Sequence, residues 1–142
     1  MINNNFEKKL KSKEFVFTAE TSPPDSTVRS EITDRVLCLK DLADAINVTD
    51  GASAKSHLSS LVVSSIIKDI EIEPILQLTT RDRNRIAIQS DLLGAWTLNI
   101  QNILCIYGDQ VETGDQPETK EVRDLDTLGV INTANYFKKE KK

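Results

Sequence analysis

Along this chain, short apolar runs of β character alternate with longer segments whose apolar positions recur every third or fourth residue. The run 15–20 (Phe-Val-Phe-Thr-Ala-Glu) reads as a first strand, and Pro23-Pro24 just after it blocks helix and ladder alike, so a fixed loop follows. The spacing of Val28, Ile32, Val36, Leu39 and Leu42 predicts a helix over 27–43. A second strand is expected at 45–49, a turn at Asp50-Gly51, and a helix over 57–68 with Leu58, Leu61, Val62, Ser65 and Ile66 as its buried stripe. The third unit pairs a strand at 73–79 with a helix over 82–98, apolar at Ile86, Ile88, Leu92, Leu93 and Trp96, with Asp82 or Asn84 as N-cap and Asn99 at its end. A fourth strand at 103–107 precedes a loop over 108–121 and a short helix at 124–134. The leading residues 3–13 pattern as a short helix with Phe6 and Leu10 on one face, and the tail 138–142 is expected to fray in solvent.

Strands that alternate with helices of these lengths argue for parallel pairing, because parallel neighbours need a crossover connection. Each strand also stops at a small polar cluster: Glu20-Thr21-Ser22, Asn47-Val48-Thr49-Asp50-Gly51, Gln77-Leu78-Thr79 and Gly108-Asp109. In a (β/α)8 barrel the C-terminal strand ends share one face, so these clusters would converge on a single site. The rival doubly wound fold wants Gly-x-Gly-x-x-Gly after its first strand, where this chain has Glu20-Thr-Ser-Pro-Pro24. The expected fold is therefore α/β, a partial (β/α)8 TIM barrel of about four βα units with a short leading helix. Its divisions would be an extension at 1–13, half of a barrel domain at 14–136 and a charged tail at 137–142. The chain stops before a fifth strand, which would leave strands 1 and 4 as open edges.

Composition narrows the function classes. With 142 residues, 39% hydrophobic and 28% charged, the chain supports a conventional core. A net charge of -4 and only 5% aromatic residues disfavour a nucleic-acid or anionic-membrane binder. No apolar run approaches the roughly 20 residues of a membrane span, and the amino terminus has no secretory apolar stretch, so a cytoplasmic location is expected. Cys38 and Cys105 show neither metal-ligand spacing nor a disulfide framework and read as small core residues; no metal site is expected.

The strand-end residues carry a more specific resemblance. Phe17-Thr-Ala-Glu20-Thr-Ser-Pro-Pro24, Asn47-Val-Thr49-Asp-Gly-Ala52, Pro74-Ile-Leu-Gln77-Leu-Thr-Thr-Arg-Asp-Arg-Asn-Arg85 and Tyr107-Gly-Asp109 resemble, in order and separation, successive motifs of the methylenetetrahydrofolate reductase family. The resemblance spans about residues 14 to 130. It implies a flavin enzyme, with FAD or FMN, that passes a hydride from NAD(P)H to 5,10-methylenetetrahydrofolate and yields 5-methyltetrahydrofolate, a step feeding methionine synthesis.

What the resemblance implies can be set beside what each residue could do unaided. Glu20 matches the family's general acid; opening the folate ring needs a proton on nitrogen, and a carboxyl kept protonated by desolvation beside the Pro23-Pro24 loop could deliver it. The alternative is a solvated rim glutamate. Asp109 matches a carboxylate beside flavin and folate that stabilises developing positive charge, with Gly108 allowing close approach of a planar ligand; otherwise Gly-Asp is a plain turn. Thr49 matches a flavin hydrogen-bonding position, and Gln77 stands where some members have His, contacting flavin and folate; capping or turn chemistry is the alternative for both. Tyr107 replaces an Arg frequent in the family.

Arg81, Arg83 and Arg85 would suit a flavin phosphate or the folate glutamyl carboxylates, but are read here as a solvated charge cluster at a helix start. His57 is read as a surface residue and Trp96 as a packing residue.

Three functional readings compete: a reductase whose turnover needs the missing half, supplied by a complementing chain or by a second copy in a homo-oligomer; a non-catalytic flavin- or folate-binding half-barrel; and an inactive gene fragment.

Overall fold

The computed structural model describes residues 5–140. Nine regular elements follow one another as α1 (Asn5–Ser12), β1 (Thr18–Thr21), α2 (Arg29–Leu37), β2 (Ala45–Val48), α3 (Ser60–Asp69), β3 (Pro74–Thr79), α4 (Arg85–Thr97), β4 (Asn102–Ile106) and α5 (Thr127–Glu140). The four strands form one parallel sheet in sequential order, β1-β2-β3-β4. Glu20 lies opposite Asn47, Asn47 opposite Ile75, and Gln77 opposite Leu104.

Strand residues alternate strictly between two faces. Ile46 and Val48 pack with Ile32, Val36, Val63, Ile66 and Ile67 of α2 and α3, and Ala19 borders that cluster. Leu76 meets Ala95 and Ile100, while Leu78 meets Ile88, Leu92 and Val130, with Ile103 and Cys105 against them. All helix-covered positions therefore share one parity. The opposite face carries Glu20, Asn47, Gln77 and Leu104. Sequential strand order with helices on one face only is the wall of a barrel, whereas a doubly wound sheet is covered on both. The fold is a partial (β/α)8 TIM barrel. Leu104 is 43% exposed on the inner face, and β1 and β4 have no further strand neighbour among the described residues.

Local chemistry sets the helix ends. Asn84 caps α4 by accepting from the Ala87 N–H at 3.0 Å, so of the two candidate caps it is the one used. At the far end Asn99 takes a left-handed conformation (φ 60°), the Asn99 N–H donates to the Trp96 carbonyl and the Ile100 N–H to that of Ala95, which closes a Schellman motif. Glu71 closes α3 in the same way, with the Ile72 N–H reaching the Ile67 carbonyl. The leading helix is tied down by the Lys9–Asp44 ion pair, and Asp44 also accepts from the Phe17 N–H at 3.0 Å.

Several sequence expectations are corrected. β1 begins at Thr18, leaving Phe15 and Phe17 exposed, because Asp44 rather than a neighbouring strand receives the Phe17 N–H. Of the expected stripe of α3, Ile66 is buried and Leu58 and Leu61 pack against the core, but Val62 faces outward and Val63, Ser64 and Ile67 are buried in addition; the helix starts at Ser60, three residues later than the spacing suggested. α2 stops at Leu37, so Leu42 is solvent-facing. Trp96 is 55% exposed on α4 rather than packed, since Ile88, Leu92 and Ala95 take the core side. Cys38 is exposed at the end of α2, while Cys105 is half-buried and its thiol pKa is pushed up by burial. Residues 138–140 continue α5, anchored by Phe137 on the core. Residues 3, 4, 141 and 142, covered by the expected leading helix and tail, lie outside the described residues. No helix among the described residues is long and apolar enough to cross a membrane.

Candidate functional site

All four polar clusters sit at the C-terminal ends of the strands, and cross-strand bonds join them. Gln77 Nε2 of β3 donates to Glu20 Oε2 of β1 at 3.3 Å, across the inner face. Thr49 Oγ1 donates to Ser22 Oγ at 3.1 Å, which ties the end of β2 to the loop after β1. That loop is firm: Pro23 and Pro24 are buried, and the Pro24 carbonyl accepts from the Leu58 N–H at 3.0 Å. Gln77 and Thr49 are themselves buried, at 8% and 7% exposure. Glu20, by contrast, is exposed, so the enclosure expected around it is not supplied by these residues.

Asp50 organises the floor of the site. Its carboxylate, 8% exposed, accepts from Ser60 Oγ at 3.0 Å, from the Thr79 N–H at 2.9 Å and from Arg83 Nη1 at 2.6 Å. Arg83 then reaches Asp91 of α4 at 2.8 Å. One buried carboxylate thus joins the end of β2, the end of β3, the start of α3 and the body of α4.

Arg81 is more buried still, at 4% exposure. Its Nε and Nη2 fork onto Asp82 at 2.7 and 2.8 Å, and Nη1 donates to the carbonyls of Gly51 at 3.2 Å and Asp109 at 3.3 Å. The hydrogen bond to Asp82 raises the Arg81 pKa against the opposing effect of burial, so the group stays charged. Two of the three arginines read as a solvated cluster are therefore structural cations in a buried network. Arg85 fits the expectation better, pairing with Asp124 at the protein surface.

Past β4, Gly108 adopts φ +88°, and a Cβ there would lie 2.5 Å from Thr79 Oγ1. The missing side chain makes room for Thr79 and a left-handed backbone rather than for a ligand plane. The next residue, Asp109, is exposed, and its Oδ2 accepts from the Ser53 N–H at 2.7 Å. Tyr107 is covered on one ring face by Arg123, whose guanidinium carbon lies 3.6 Å from the ring centroid and whose Nη1 donates to the Tyr107 carbonyl at 2.7 Å.

His57 is half-buried in the loop before α3; Nε2 lies 3.3 Å from the Ala52 carbonyl, and Nδ1 is buried without a hydrogen-bond partner among the described residues. No group of three or more His, Cys, Asp or Glu among the described residues could hold a metal ion.

The structure thus brings Glu20 and Gln77 into contact and sets Thr49 beside the loop that follows Glu20. Asp109, on the loop after β4, is bonded instead to the loop after β2 through the Ser53 N–H, and no hydrogen bond among the described residues joins it to Glu20, Gln77 or Thr49. Sequence reasoning missed Asp50, Ser53 and Arg123, and underread Arg81 and Arg83. The one available signal was that Asp50 closely follows a strand, Ala45–Val48, that is apolar except for Asn47.

A family model described as methylenetetrahydrofolate reductase matches residues 5–139. A search of curated proteins gives no match to the chain.

Proposed function

The chain belongs to the methylenetetrahydrofolate reductase family, and from that premise we propose that its strand ends form part of the flavin and folate site of a reductase converting 5,10-methylenetetrahydrofolate to 5-methyltetrahydrofolate. The observation that carries this reading is the Gln77–Glu20 hydrogen bond, which sets an acid on β1 against an amide on β3 at the C-terminal face, where barrel enzymes do their chemistry. In this proposal Glu20 delivers a proton to the folate nitrogen as the ring C–N bond breaks, and Gln77 fixes the direction of the carboxyl. Asp109, steadied by the Ser53 N–H, offers negative charge to the cationic form of the folate.

The donor set suits a flavin. Thr49 supplies a hydroxyl and Gln77 a primary amide with donor and acceptor atoms, complementary to the mixed polar edge of an isoalloxazine ring. When bound, the flavin, FAD or alternatively FMN, would relay a hydride from NAD(P)H to the folate. The edges of β1 and β4 are where strands of a second copy or a complementing chain would pair, and such strands would also cover Glu20. The exposure of Glu20 favours, as a second reading, a half-barrel that binds these ligands without turnover unless that partner is present.

The test separates two half-reactions in the flavin-loaded chain together with the strands that complete its barrel. Glu20→Gln keeps the hydrogen bond to Gln77 but holds no acidic proton. It should slow folate-dependent flavin reoxidation about 10²–10⁴-fold while leaving flavin reduction by NAD(P)H near wild type. Equal loss of both half-reactions would contradict the role given to Glu20.

A further inference from the structure

Resting on the reading of Asp109 as a site carboxylate, we propose that Arg81 is a positioning residue that acts through Asp109, clamping the loop after β2 to the loop after β4 so that the carboxylate is held at the mouth.

Geometry argues for a clamp rather than a simple ion pair. A guanidinium presents five N–H donors in a rigid plane, and Arg81 spends them on three separate segments: Asp82 beside it, the Gly51 carbonyl after β2 and the Asp109 carbonyl after β4. The residue is itself pinned on both sides of its backbone. Its N–H donates to Thr79 Oγ1 at 2.9 Å, and its carbonyl accepts from the Val122 N–H at 2.8 Å.

The two loops also interlock beyond Arg81. The Ser53 N–H holds the Asp109 carboxylate, and Gly114 packs so tightly that a Cβ on it would collide with the Ala54 carbonyl oxygen. Ser53 and Ala54 both adopt positive φ, 57° and 53°, a conformation non-glycine residues avoid unless their surroundings impose it. The Arg81 anchor at Gly51 and the Asp109 anchor at Ser53 hold this segment, together with the turn bond from the Ala54 N–H to the Gly51 carbonyl. Asp109 is exposed, and the Ser53 bond is the one side-chain hydrogen bond it makes among the described residues; its direction therefore depends on where the two loops stand. Lysine would keep the charge but could not span the two carbonyls and Asp82 together.

Amide exchange in the ligand-free chain tests this without flavin or folate. Arg81→Lys should speed exchange of the Ser53 amide by about tenfold or more, the loss of one hydrogen bond's protection. Asp109→Ala should do the same, and the double variant should add nothing beyond Asp109→Ala. Gly114→Ala, which wedges the loops apart without touching Arg81, should reproduce the effect. The Ile46 and Val48 amides of the sheet should stay at wild-type protection in all four. Wild-type Ser53 protection in Arg81→Lys would overturn the proposal, and so would equal deprotection of Ile46, which would make Arg81 a general stabiliser. In flavin-loaded protein, Arg81→Lys should shift the flavin midpoint potential in the same direction as Asp109→Ala; a shift in the second alone would break the link. Failure to bind flavin would sink the reductase reading while leaving the exchange result to stand.

Discussion

Removing the Asp50 carboxylate should be among the most damaging single changes at the strand ends. Asp50→Ala strips the acceptor from the Thr79 N–H and from Ser60 Oγ, whose residues are 0% and 2% exposed, and takes from Arg83 one of its two carboxylates. A buried donor left unpaired costs about 1–3 kcal/mol, and breaking a buried ion pair from one side about 3–5. Asp91 still neutralises Arg83, and its own side chain is 32% exposed, so the ion-pair loss falls at the low end. Water can also reach the vacated space from Arg83, 19% exposed. With both donors and the ion pair at the low end of their ranges, the loss is about 5 kcal/mol, which for a chain of this size lowers Tm by roughly 15 °C. Asp50→Asn keeps one acceptor oxygen and should lose about half as much. Urea unfolding of wild type, both variants and the Asp50→Ala/Arg83→Met pair reads this directly. The double variant should fall short of the summed single losses by about 1 kcal/mol or more. A loss below about 1 kcal/mol for Asp50→Ala, or strict additivity with Arg83→Met, would refute the picture of one carboxylate joining four elements.

Gly108→Ala places a Cβ against Thr79 Oγ1 at φ +88° and should destabilise by about 2–4 kcal/mol, as measured by denaturant unfolding, from backbone strain and overpacking together. The Asp124 carboxyl is pulled from its usual 3.8 to about 2, chiefly by the Arg85 side chain and then by the Arg85 N–H. Its folded pKa is depressed, so its contribution is complete above about pH 4 and disappears as pH falls through about 2. Asp124→Asn should therefore flatten the stability-against-pH curve in that window, and an unchanged slope would show that the pair contributes nothing there.

The alternation of strands and helices was legible because each element carries its own period, and the polar residues that end the strands marked the C-terminal face of the sheet. Asn84 and Asn99 were legible as helix boundaries because capping is local chemistry. What stayed hidden depends on contacts distant in sequence. Arg83 meets Asp50 across 33 positions, and nothing near Arg81-Asp82-Arg83-Asn84-Arg85 separates buried guanidinia from the solvated Arg85. The face of α3 was only partly legible because a run of Leu, Val, Val, Ser, Ser, Ile and Ile fits more than one rotation, and packing against α2 and the sheet decides between them. Glu20 was placed correctly at its strand end, yet its exposure follows from which strands cover the inner face, a property no local pattern encodes.

The most direct test of the flavin site is a visible absorption spectrum taken across the size-exclusion peak of the full chain after incubation with FAD. A flavin band that co-elutes with the protein in stoichiometric amount, and weakens on Thr49→Ala or Gln77→Ala, is the expected result. A colourless peak of folded protein at every FAD concentration would contradict it.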